Sequence, residues 1–107
     1  MTTFDERKNS FENKFQHDQE LQFRAIARRN KLLGLWAANL MGMEGEAAGI
    51  YAKEVAVADL AKPGDSDIIE KIMADFSAKN ISVDERQIRK KITELQSQAQ
   101  EQIKSEN

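Results

Sequence analysis

The chain has 107 residues, 40% of them hydrophobic and 32% charged. That length and balance suit one small domain with one core and leave no room for a second. Cysteine is absent, which excludes a disulfide framework or a thiolate metal site. The formal net charge of −2 gives no general affinity for nucleic acid.

The N-terminus, MTTFDERKNSF, carries no apolar signal region, and no stretch approaches the roughly 20 apolar residues of a membrane-spanning helix. A cytosolic protein is expected. Residues 1–19 read as an amphipathic arm. Phe4, Phe11 and Phe15 recur at helical spacing, and charged or amide residues fill nearly every position between them. Thr3 with Glu6 has capping-box spacing, and Asp5 and Glu6 suit a first helical turn. So short a segment is marginal as an isolated helix, and it is expected to be disordered or transiently helical until its phenylalanines dock on something.

From Leu21 the apolar pattern strengthens. Phe23, Ile26, Ala27, Leu33, Ala37, Leu40 and Met41 define one face of a core helix over about 20–43, which Gly42 and Gly45 end. A second helix follows over about 46–61, with Ala47, Ala48, Tyr51, Val55 and Ala58 inward and Leu60 at the edge of that set. The run Lys62-Pro63-Gly64-Asp65 stops it, because proline cannot continue a helix. Asp65 or Ser66 is suited to cap a third helix, 66–79, whose apolar set is Ile68, Ile69, Ile72, Met73 and Phe76. Asn80 suits the left-handed exit, and Ser82 with Glu85 has capping-box spacing for a fourth helix over 83–104. Ile88, Ile92, Leu95, Ala99 and Ile103 form its stripe, and the residues from Lys104 onward are expected to fray. No segment alternates with period two. The expectation is an all-α fold: a four-helix bundle, 20–107, with a mobile amphipathic N-terminal arm.

Chemistry is sparse. The one histidine, His17, lies in the polar arm with no nucleophile beside it, and the carboxylates show no metal-ligand spacing. No metal site and no enzyme activity are expected. Trp36 and Tyr51 read as core aromatics rather than a stacking platform. Two basic clusters remain. One is Arg24, Arg28, Arg29 and Lys31, with no acidic residue between Leu21 and Met43; the other is Arg86, Arg89, Lys90 and Lys91. Around a shared phosphate they would give weak ATP or ADP binding, and as separate patches they support an alternative role as a small nucleic-acid- or nucleotide-binding adaptor. No tightly held cofactor is expected. The arm points elsewhere, because exposed phenylalanines on a helix imply a protein groove, and its mixed polar face is not the basic face that anionic lipid prefers.

The segments FDERKNSFENKFQHDQELQFRAIARRNKLLGLWAA, VADLAKPGDSDIIEKI and DERQIRKKITEL resemble the zeta subunit of alphaproteobacterial F-type ATP synthases, a family of small ATPase inhibitor proteins. The ARRNKLLGLWAA run carries most of the likeness, and Gln16 stands where the family has a small residue. The resemblance implies that an N-terminal segment, here Met1 to about Gln19, inserts as a helix at a catalytic α/β interface of the F1 sector and touches the central rotor. Carried onto this chain, Phe4, Phe11 and Phe15 are the groove contacts. Arg7, Lys8, Glu12 and Lys14 pair with charges at the rim, His17 lies near the hinge, and Asp5 and Glu6 belong to the same set. The implied partners are the F1 α, β and rotor subunits, which would hold the protein at the cytoplasmic face of the inner membrane.

Overall fold

The computed structural model describes the backbone of residues 3–60 and 64–106 and the side chains of 18–60 and 64–106. Four helices follow in order: α1 Thr3–Leu40, α2 Gly45–Asp59, α3 Ser66–Ala78 and α4 Glu85–Glu106. All regular structure among the described residues is helical, and none of these helices is long and apolar enough to cross a membrane. The α1 backbone passes through position 20 without a break.

Their ends show why the helices fall where they do. After α1, Gly42 takes φ 81. Its N–H donates to the Asn39 carbonyl at 3.1 Å, and the Met43 N–H donates to the Ala38 carbonyl at 2.9 Å. This is the paired 5→2 and 6→1 closure that needs a left-handed residue. Asn80, φ 59, does the same after α3, with Ile81 N–H donating to the Phe76 carbonyl at 2.8 Å. The capping box of α4 falls two residues later than its spacing in sequence suggested. Asp84 and Gln87 exchange side-chain and backbone bonds at 2.9 Å each, in place of Ser82 and Glu85. Nor does Asp65 cap α3 with its side chain; its carboxylate is taken by an arginine of α1.

α1 lies between α2 and α4, each antiparallel to it, and α3 packs against α2 and more lightly against α4. The core joins Leu33, Ala37 and Ala38 of α1 to Ala48, Tyr51 and Val55 of α2. Ile68, Ile69, Ile72 and Phe76 of α3 and Ile88, Ile92 and Leu95 of α4 complete it. Ala99 and Ile103 extend the α4 stripe beside Ala25 of α1.

The expected apolar face of α1 needs correction. Leu33 and Ala37 are fully buried, but Phe23 is 70% exposed, Ile26 38% and Leu40 41%, and Ala27 is also exposed. Antiparallel packing supplies the reason. α2 ends at Asp59, opposite Asn30, so little of α2 remains to cover positions 23 and 26. α4 continues to Glu106 and covers Ala25 and the inner side of Arg28 and Arg29. The C-terminal turn of α4 is therefore helical rather than frayed, and Arg28 holds Glu106 at 2.9 Å. In α2, Ala52 is buried where Ala47 was expected, and Leu60 is exposed.

Ala52 marks the closest approach of α1 and α2. A Cβ added at Gly34 would stand 2.6 Å from the Ala52 Cα and 3.1 Å from its Cβ. Gly34→Ala therefore drives two backbones apart. Overpacking of this kind costs about 1–3 kcal/mol, and the roughly 1 kcal/mol better helix propensity of alanine returns only part of it. Gly49→Ala meets nothing within 4 Å and should instead stabilise. Opposite shifts of the thermal midpoint are the expected result; a raised midpoint for Gly34→Ala would contradict this packing.

A candidate docking surface for a protein partner

The first basic cluster is divided: Arg24, Arg28 and Lys31 line a surface depression beside Glu106, while Arg29 is closed inside the bundle. Arg24 pairs with Glu20 at 2.7 Å, one turn before it, and Arg28 reaches Gln102 at 2.8 Å and Glu106 at 2.9 Å on α4. Arg29 is only 5% exposed. Its guanidinium donates to Asn30 Oδ1 at 2.9 and 3.1 Å, to Gln96 Oε1 at 2.8 Å and to Asp65 Oδ1 at 3.0 Å. Asn30 in turn donates to Asp59 Oδ2 at 2.8 Å. A buried cation is tolerable only when its donors are satisfied, and this network satisfies it while tying together α1, α4 and both ends of the α2–α3 connection. The acids that pair with Arg29 and Arg28 lie 36 and 78 residues away in the chain.

The second cluster stands elsewhere. Arg89 pairs with Glu85 at 3.1 Å, and Lys91 lies 3.7 Å from Glu94 and 5.8 Å from the centre of the Trp36 ring. Arg86 and Lys90 are exposed. At 1.5 Å per residue the α4 partners of Arg28 and Arg29 lie roughly 9 to 30 Å further along the helix than Arg86 and Lys90. The two clusters are not brought together around a phosphate.

Trp36 and Tyr51 are packing residues. Trp36 meets Phe76 edge to face at 5.9 Å. Tyr51 is 5% exposed and donates its hydroxyl to Asp75 Oδ2 at 2.8 Å. Lys71 completes the group, 3.1 Å from Asp75, 3.3 Å from Glu54 and 5.1 Å from the Tyr51 ring centre. Burial, the Asp75 hydrogen bond and the charges of Asp75 and Glu54 push the Tyr51 hydroxyl far above its usual range. For Lys71, burial pulls downward, but its bonds and charge interactions with Asp75 and Glu54 outweigh that and leave it raised.

Both groups keep their protons longer in the fold than in the unfolded chain, which releases them near pH 10 to 10.5. Their contribution is thus complete below about pH 10 and is lost as pH rises further. Tyr51→Phe should cost about 1 kcal/mol at pH 7 and should also flatten the decline of the melting temperature between about pH 10 and 12. An unchanged alkaline slope would contradict this assignment.

The side chains of Phe4, Asp5, Glu6, Arg7, Lys8, Phe11, Glu12, Lys14, Phe15 and His17 lie outside the described residues. No group of three or more metal-ligating side chains occurs among those described. Among the described residues, the large exposed apolar side chains other than Leu40 line two adjoining depressions. Phe23 and Ile26 of α1 line a shallow groove with Ala56, Val57 and Leu60 of α2 and its C-terminal turn. A second shallow depression, lined by Ile50, Lys53, Val57 and Lys71, adjoins it through Val57. Helical spacing alone hides this surface, because it places Phe23 and Ile26 on the core face of α1 and Leu60 at the edge of the inward set of α2. The signal present in sequence was that α2 is apolar on more than one face, Ile50, Val57 and Leu60 lying off the Ala48–Tyr51–Val55 stripe.

A small helical bundle whose one buried cation, Arg29, is tied up internally and whose apolar side chains stand open beside it has the character of a protein-binding module. The chain belongs to the ATPase inhibitor subunit zeta family, whose model matches residues 1–102. It is accordingly a regulatory protein that acts on an ATPase, and not a catalyst. A chain whose structure was determined by solution NMR is similar at 39% identity, with a TM-score of 0.72, over 81% of this chain and 99% of its own. No curated protein matches.

Proposed function

We propose that this chain inhibits a rotary F1-type ATPase by inserting residues 1–19 as a helix at a catalytic α/β interface, against the central rotor, with the bundle outside as its anchor. The observation that carries the reading is the family match over residues 1–102, which takes in the arm together with the bundle. The continuity of α1 gives it a physical basis. Nucleation is the costly step in forming a helix, and the core-packed half of α1 has already made it, so extending the helix towards the N-terminus needs only propagation. Phe4, Phe11 and Phe15 fill the partner's groove in this proposal. Arg7, Lys8, Glu12 and Lys14 pair at its rim, Asp5 and Glu6 favour the helix N-terminus, and His17 lies where the arm leaves the partner. The protein then sits peripherally at the cytoplasmic side of the inner membrane through the F1 sector.

The test is ATP hydrolysis by the cognate F1 sector stripped of this subunit, with the full chain, a version lacking residues 1–19, or Phe11→Ala added back. Inhibition by the full chain alone supports the arm. Equal inhibition by the truncated chain overturns it.

A further inference from the structure

We infer that the bundle carries a second ATPase-docking surface, formed by Phe23 and Ile26 of α1 with Ile50, Val57 and Leu60 of α2 and its C-terminal turn, which continues the interface made by the arm. This inference rests on the proposed function above.

Three observations converge on it. First, these five side chains are 70%, 38%, 53%, 65% and 79% exposed, although the 17 hydrophobic residues of the core are all 6% exposed or less. α2 is thus apolar on two sides, and a helix with that character is one that becomes buried on both. Second, ideal helical spacing puts the surface in register with the arm helix proposed above. At 100° per residue along α1, positions 4, 11, 15 and 26 fall within about 60° of one another, and Phe23 borders that sector on the side of Val57 and Leu60. One apolar strip can therefore run from the arm onto the bundle. Third, its size fits an extension better than a free-standing contact. Five such side chains make a patch of a few hundred Å², well below the roughly 800 Å² per partner of a stable complex. Joined to the arm, the patch needs no such area of its own.

The occupant is accordingly an apolar strip on the ATPase beside the groove that receives the arm. The rim carries both signs of charge, Lys71 paired with Glu54 and Asp75, and Lys53 and Asp59 also lining it. The contact should therefore be apolar, with little salt dependence of its own. It also fixes the angle at which the arm enters, since the patch and α1 are parts of one packed unit.

Full-length Val57→Asp/Leu60→Asp is compared with wild type and with Phe11→Ala for inhibition of the stripped F1 sector at two salt concentrations. Both substituted positions are more than 60% exposed, and Phe23→Ser serves as an independent variant from α1. An approximately tenfold rise in the half-inhibiting concentration for the double variant, matched by Phe23→Ser and equal at both salt concentrations, supports the surface. Inhibition equal to wild type overturns it. So does sedimentation that shows a wild-type dimer made monomeric by the double variant with inhibition unchanged, because the occupant is then a second copy of this chain. If Phe11→Ala inhibits normally while the double variant does not, the arm reading fails, and the continuation of its interface inferred here is overturned with it.

Discussion

Phe76→Ala is expected to cost about 3–5 kcal/mol, the range for removing a buried phenylalanine. Phe76 is 1% exposed, among the largest of the fully buried side chains, and it meets Trp36 edge to face. Its carbonyl also accepts the Ile81 N–H that closes α3, so the space left behind lies under a turn that backbone bonds hold in place, with little freedom to collapse. Domains of this size have total stabilities of about 5–15 kcal/mol. The loss should therefore lower the melting temperature by at least about 12 °C, at 4 °C or more per kcal/mol. Trp36 is the chain's one tryptophan, and its fluorescence should change in the native state as well as on melting. A shift below about 4 °C would mean that Phe76 is not packed as described.

The second large effect is functional. Removing residues 1–19 should abolish inhibition, and Phe11→Ala alone should raise the half-inhibiting concentration about 10- to 100-fold, the effect of losing an anchor worth about 1.4 to 2.8 kcal/mol. The loss should appear chiefly as faster dissociation, since truncating a central apolar anchor changes how long a complex lasts more than how often it forms. Charge changes at Arg7 or Lys14 should act in the other direction, on association and its salt dependence. Both variants leave the core of α1 from Leu33 onward intact, so their melting temperatures should stay close to that of the parent chain. An unfolded variant would betray itself in that measurement and could not be mistaken for a loss of contact.

The polar interior explains why the basic cluster reads differently in sequence and in space. Within α1, Arg24 to Lys31 shows no acid on the C-terminal side, and local spacing cannot reveal that Asp65 and Glu106 arrive from the α2–α3 connection and the end of α4. Arg29 is the clearest case. Its neighbours in sequence, Arg28 and Asn30, suggest a solvated face, yet all its hydrogen bonds but those to Asn30 are made to residues at least 36 positions away. Long-range pairing turns a predicted patch into a buried clamp.

The helical class, the inward stripes of α3 and α4 and the left-handed exits at Gly42 and Asn80 are legible in the residues alone. Each depends on period, turn chemistry or backbone freedom within a few residues. Ile68, Ile69, Ile72 and Phe76, like Ile88 through Ile103, have one sensible side to bury. The run ARRNKLLGLWAA also carries the likeness to an inhibitor family. Which face of α1 is covered emerges from the packing of the helices, because it depends on where α2 stops relative to α4. The same arrangement leaves Phe23, Ile26, Val57 and Leu60 in solvent, places Gly34 against Ala52 and closes Arg29 inside the bundle. Burial is a property of neighbouring helices and their lengths, and an apolar residue near the end of a bundle is inside or outside according to how far its neighbour extends.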